Sequence, residues 1–396
     1  MTSKIELFHF GDCGQYDELN PFYIFAKENT PEILFLIAHS EPFELKANDI
    51  AKLLDCELKY LENILNAMEK IHMVLVKNDR YSINFPVFLE KDLHLLDKFS
   101  KKTAQKIGDL VIMNKEKLHQ LVSKLSAHKY FSYERLLYHI IGDYIFDGTA
   151  IEYFGTREIF KISKEQLGHR DYILIGFEES EKMFDFSDNI LCSSNNYKVK
   201  NIRFNSFGDG NGNREDLYRF FRQVNSSLKN ATDNDKLNLS YIKLIEQQNQ
   251  MLGENCAILI KRVLNEDICI SDLSPMERKR FDFLKELGYV REDKKSKISF
   301  KVPVFQANDI SILKEISNCI LCIIENEIDN TFKKLNNDYK ELSAIKHKVD
   351  IKEIANELWH QVFGSINEYL VEKNFFERPN YIDGQGRFFQ SIYIEE

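Results

Sequence analysis

Three groups of side chains have types and spacings suited to chemistry. The run Phe207-Gly208-Asp209-Gly210-Asn211-Gly212 stands between a strand-like stretch and a helical one at 214–224. That is the order of a loop that cradles phosphate at a helix N-terminus. Space argues against it: a second helical head begins near residue 255, leaving about 40 residues where a doubly wound nucleotide domain needs roughly 100 or more. The run therefore reads as a turn, and Gly11-Asp12-Cys13-Gly14 stands at the matching place nearer the N-terminus. The pair Cys319-Ile320-Leu321-Cys322 has redox or metal spacing. It sits in an apolar helical run, with no second Cys/His pair nearby, and reads as core. Last, His139 follows Tyr138 and His360 follows Trp359, each on a helical stretch. These four residues are the candidates for an effector pocket that senses a ligand or pH. No nucleophile elbow, HExxH, Walker loop or zinc set occurs, so no catalytic residue, metal or cofactor is expected, and no enzyme.

The composition fits a globular chain with ample core. Of 396 residues, 43% are hydrophobic and 29% charged, enough for two or three domains. No apolar run approaches the ~20 residues of a membrane span. The N-terminus leads straight into a strand-like stretch without an apolar signal region, and the seven cysteines are scattered. A cytoplasmic protein with reduced thiols is the expectation. A net charge of −9 argues against a wholesale nucleic-acid coat but not against a local basic face.

The chain reads as a tandem duplication. Phe10-Gly11-Asp12 recurs as Phe207-Gly208-Asp209, and Phe85-Pro86-Val87-Phe88 as Val302-Pro303-Val304-Phe305. Leu137-Tyr138-His139 matches Leu358-Trp359-His360, and residues 172–179 match 389–396. The pairs keep their order, which places repeat one at 1–195 and repeat two at 196–396. A polar stretch at 225–236 reads as a linker.

Within repeat one, 31–88 carries the clearest local pattern. Pro31 opens a helix, Ile50, Leu53 and Leu54 mark a second, and Leu61, Ile64, Leu65 and Met68 mark a third at 57–72. Two short strands follow, Val74-Leu75-Val76 and Tyr81-Ser82-Ile83, around the tip Lys77-Asn78-Asp79-Arg80. In repeat two, 255–302 offers a first helix at 257–264, only Ile270-Ser271-Asp272-Leu273 for the second, a third at 275–287, and a hairpin with a charged tip. The segments after each hairpin, 90–180 and 305–396, alternate helix and strand. They include one long helix or two in tandem at 90–126, a helix at 133–146 and a strand at 170–179.

Three helices and a two-stranded wing resemble the winged helix-turn-helix domains of bacterial regulators of the MarR and ArsR type. The resemblance implies a mostly α fold with small β wings (α+β), with tandem winged-helix repeats arranged as a pseudo-dimer. It also implies a transcriptional regulator with double-stranded DNA as partner, controlled by an effector ligand or protein. The candidate DNA contacts are Lys59, Tyr60, Asn63 and Asn66 on the third helix, with Lys77 and Arg80 in the wing. In repeat two they are Arg278, Lys279 and Arg280, with Lys294, Lys295 and Lys297. Asn reads adenine edges, and Lys and Arg hold phosphate. The alternative is a scaffold in which winged helices dock proteins, which the acidic balance and the short second helix favour. Either a pseudo-dimeric monomer or a homodimer fits.

Overall fold

The structure, a computed structural model, describes residues 3–210, 212–221 and 237–395; the linker expected at 225–236 lies outside the described residues. Helix outweighs strand, at about 55% against 18%, so the chain is an α+β mixture. It divides into two compact units. One comprises 1–111, 148–190 and 320–369, the other 112–147, 191–319 and 370–396, so each draws on both sides of residue 195.

The strands of the first unit are β1 (Ile5–Asp12), β2 (Val74–Lys77), β3 (Arg80–Ile83), β4 (Val87–Phe88), β5 (Glu165–Gln166) and β6 (Arg170–Glu178). β6 lies between antiparallel β1 and parallel β4, with β5 also against it. β2 and β3 form a separate hairpin. Asn78 and Asp79 make its two-residue turn, at φ 53° and 59°, and such short polar residues tolerate the left-handed region. Before the hairpin come the helices Thr30–His39, Ala47–Leu54 and Leu58–Lys70. Leu61, Ile64, Leu65 and Met68 of the third face inward together, as their spacing requires. They pack with Ile33, Leu34 and Ile50, and this core runs on into Ile5 and Leu7 of β1 and Tyr172 of β6.

The second unit holds β7 (Leu191–Val199), β8 (Ile202–Asp209), β9 (Val290–Glu292), β10 (Ile298–Phe300), β11 (Val304–Phe305), β12 (Tyr381–Ile382) and β13 (Gly386–Ile394). Its sheet has the plan of the first, with β13 between antiparallel β8 and parallel β11, and β12 against β13; β7 is an addition on the β8 edge. The register corrects the sequence alignment by one residue. Gly11 faces Tyr172 and Gly208 faces Phe388, so Phe388, not Phe389, is the counterpart of Tyr172. Both glycines are needed: a Cβ would meet the Asp171 carbonyl oxygen at 2.2 Å from Gly11 and the Arg387 carbonyl oxygen at 2.0 Å from Gly208.

The second head differs from its expectation at its start. Its first helix is Leu237–Asn265, longer than the expected 257–264, because the unbroken polar run Glu246-Gln247-Gln248-Asn249-Gln250 interrupts the apolar spacing in the sequence. The second helix is a 3₁₀ turn, Ile270–Asp272, and the third is Pro275–Glu286. A reciprocal cap opens the third helix, with Glu277 N donating to Ser274 Oγ (3.3 Å) and Ser274 N to Glu277 Oε2 (2.9 Å). The hairpin β9–β10 follows.

One joint is built twice. Asp92 Oδ2 accepts from Leu89 N (2.9 Å), and Asp92 Oδ1 from Ser343 N and Oγ (3.1 and 3.2 Å). Asp309 Oδ2 accepts from Gln306 N (2.9 Å) and Ser126 Oγ (2.5 Å), and Asp309 Oδ1 from Ser126 N (3.0 Å). Each aspartate thus takes its serine from the opposite half of the chain.

After the first hairpin the helices are two, Leu93–Met113 and Lys115–Val122, broken at Asn114. The helix expected at 133–146 is α-helical only over Tyr133–Leu137 and continues as a π-helix, Tyr138–Thr149. Cys319 is half-buried and Cys322 exposed, which corrects their reading as core. Among the described residues no helix is long and apolar enough to cross a membrane, and no group of three or more metal-type side chains gathers.

Candidate functional sites

The two heads present different surfaces. On the first, Lys59, Asn63 and Asn66 stand exposed along the third helix, and Lys77 at the hairpin tip. Tyr60 is half-buried and its hydroxyl donates to the Glu28 carbonyl at 3.2 Å. Arg80 is committed, its guanidinium donating to the Glu44 carbonyl. Residues 57–83 carry four cations and four carboxylates. Leu53, Leu58 and Leu75 are exposed, at 59%, 38% and 41%.

On the second head, Lys279, Lys294 and Lys295 are exposed and, among the described residues, in no ion pair. Arg278 pairs with Asp282 (3.3 Å) and Lys297 with Asp267 (2.7 Å), and Arg280 is half-buried. Residues 275–301 carry nine cations against five carboxylates. Two stretches of equal length and like element order therefore differ by four charges.

The four residues expected at an effector pocket lie in packed surroundings. Tyr138 is fully buried in the second unit, with its hydroxyl donating to the Phe207 carbonyl at 2.9 Å. His139 follows it, and neither ring nitrogen has a partner; burial and then Arg135 hold it neutral. In the first unit, Trp359 is fully buried and meets Phe154 edge-on at 5.2 Å. His360 stacks on Phe10 at 4.9 Å, and one ring nitrogen lies 3.2 Å from the Asn356 carbonyl. Burial lowers its pKa to about 4.

The sequence reading missed a buried polar layer on both faces of the second sheet. Strand alternation sends Asn205 and Ser206 to opposite faces of β8. On one face, Asp143 of the π-helix accepts from Asn205 Nδ2 (2.6 Å) and Ser194 Oγ (2.5 Å). Asp147 lies one turn on. Burial, against hydrogen bonds from Ser194 and aided by repulsion from Asp143, pushes its carboxyl up to about 7. On the other face, Asp216 accepts from Asn195 Nδ2 (2.9 Å) and Ser206 Oγ (2.5 Å), and the buried Arg214 donates to the Ser206 and Asp209 carbonyls (3.0 and 2.6 Å). The one available signal was Asn205-Ser206 amid Phe204 and Phe207. The Phe207–Gly212 run departs from its expectation as a turn: Phe207, Gly208 and Asp209 are the end of β8, Gly210 is a bend, and Asn211 lies outside the described residues. The Asp209 carboxylate is taken up by Arg387, at 2.7 Å from its backbone N and 2.7 Å from its Nη2.

A cleft separates the two heads in kind. In the first unit, buried His347 sits four residues after Ser343, with Nδ1 2.9 Å from Ser82 Oγ of β3 and Nε2 3.3 Å from the Ala38 carbonyl. In the second unit the residue four after Ser126 is Tyr130, and it is 80% exposed. A cleft of about 410 Å³ opens there, lined by Tyr130, Ser299 of β10 and Val263–Asn265 of the first helix of that head. No family model matches this chain, and no curated protein or solved structure matches it either.

Proposed function

We propose that this chain is a winged-helix regulator that binds double-stranded DNA through its second head, while its first head makes protein contacts. The observation that carries this reading is the excess of four cations over residues 275–301, with Lys279, Lys294 and Lys295 exposed and unpaired among the described residues. Phosphate neutralisation supplies most non-specific DNA affinity, and the local field governs it even in a chain of net charge −9. The equivalent stretch of the first head has no charge excess, and its Arg80 is already bonded.

The 3₁₀ turn before Pro275 shapes the expected mode. A full helix normally crosses the backbone and sets the third helix in the major groove. With one turn in its place, contact rests on the hairpin and the outer face of the third helix. That favours phosphate contact over base readout.

The test is fluorescence anisotropy of a short random duplex titrated with the full chain at rising salt. About three to four phosphate contacts give a log–log slope of roughly −3 to −4. Absence of binding at low salt contradicts the reading and favours a protein-docking scaffold instead. The exposed Leu53, Leu58 and Leu75 of the first head support that second reading.

A further inference from the structure

The second unit holds a larger cleft, of about 600 Å³, within the range of small-molecule sites. Its walls come from Tyr130–Arg135, the end of the third head helix and the feet of its hairpin, and the β12–β13 hairpin. Among the lining residues is Arg135, which is only 9% exposed. The guanidinium stacks face-on upon the Phe389 ring, 3.0 Å from its centroid. Its nearest carboxylate, Glu377, stands 3.8 Å away, beyond hydrogen-bond reach, and Arg135 Nε has no partner.

Ser132 explains why Glu377 does not close. Its hydroxyl donates to Glu377 Oε2 at 2.9 Å while accepting from Arg135 N at 3.1 Å. A buried guanidinium without an acceptor is costly, and burial disfavours its charge. An acceptor entering from the cleft removes that cost.

The lining defines the acceptor. Phe131, Ile382, Phe388 and Phe389 give an apolar, largely aromatic wall. Arg135, Arg291 and Lys301 are balanced by Glu215, Glu286 and Glu377, so the cleft has no cationic excess for a polyanion. One planar acceptor matches one planar fork. We propose that this cleft binds a small organic monocarboxylate with a planar apolar body, its carboxylate held by Arg135 and its body against the Phe131 and Phe388 wall. The site rests on this geometry alone and stands whether or not the second head binds DNA.

Isothermal titration of the full chain with 2-naphthoate tests it, beside neutral 2-naphthamide and inorganic phosphate. Saturable one-to-one binding of naphthoate is expected, with the amide at least about tenfold weaker and phosphate without measurable heat. Arg135→Lys keeps the charge but loses the fork, and weakens naphthoate about tenfold or more. Glu377→Gln removes the competing carboxylate and tightens naphthoate severalfold; this exposed position keeps the test decisive should Arg135→Lys fail to fold. No saturable naphthoate binding, equal binding of the amide or of phosphate, or naphthoate affinity unchanged in both variants overturns the proposal.

Discussion

The two units share a joint and differ in what fills the space beside it. Asp92 grips Ser343 and Asp309 grips Ser126, by the same two kinds of bond and across the same chain crossover. Four residues beyond each serine the units part. In the first, His347 bonds the hairpin and the first head helix to the segment that crosses over. In the second, Tyr130 points outward and the corresponding space is a cleft. A scaffold used twice thus holds one head sealed and leaves the other open to an occupant. The charge excess falls on the open head as well.

The largest expected effect tests the shared part. Asp92→Ala and Asp309→Ala each orphan three donors and cost about 3 kcal/mol or more in urea unfolding. Closely matched losses support a common joint; a loss under about 1 kcal/mol at either site breaks the comparison. Next comes the part that differs. His347→Ala removes a buried ring with bonds to Ser82 and Ala38, and should cost about 2–3 kcal/mol. Tyr130→Ala, at an exposed site, should stay within about 0.5 kcal/mol.

A smaller effect concerns pH. Burial raises Asp147 to about 7 and, in the first unit, Glu357 to about 8. The folded chain then keeps protons that the unfolded chain releases above about pH 4.5, so these groups lower stability as pH rises through 7 to 8. His139, His347 and His360 are shifted down, chiefly by burial. Folding withholds protons from them, so their contribution is lost as pH falls below about 6.5. Asp147→Asn should raise Tm at pH 8 and leave it unchanged near pH 4. A uniform change at both pH values would contradict the assigned burial.

The elements of both heads, apart from the first twenty residues of the helix Leu237–Asn265, were legible because helical spacing is local. Leu61, Ile64, Leu65 and Met68 announce a buried face, and Asn114 a break. The strand register was not, because a shift of one residue barely changes a similarity score yet turns every side chain over. Nor could the pattern reveal which half of the chain each aspartate would bind, since the partner serines lie 183 and 251 residues away in sequence. The π-helix escaped because Ile140, Ile141 and Ile145 also suit an α-helix. As for the candidate contacts, their names were readable but their availability was not. Arg80 and Lys297 look free in the sequence and are bonded in the fold. Arg135 looks like an ordinary helix cation and proves to be a buried one without an acceptor.

The most direct test of the specialised second head reverses charge on each head in turn and measures affinity for the same duplex at one low salt concentration. Lys279→Glu with Lys294→Glu should weaken binding at least about tenfold and reduce the salt slope by about two. Lys59→Glu with Lys77→Glu should change affinity less than about threefold. Equal losses from both pairs, or a larger loss from the first head, would contradict the account.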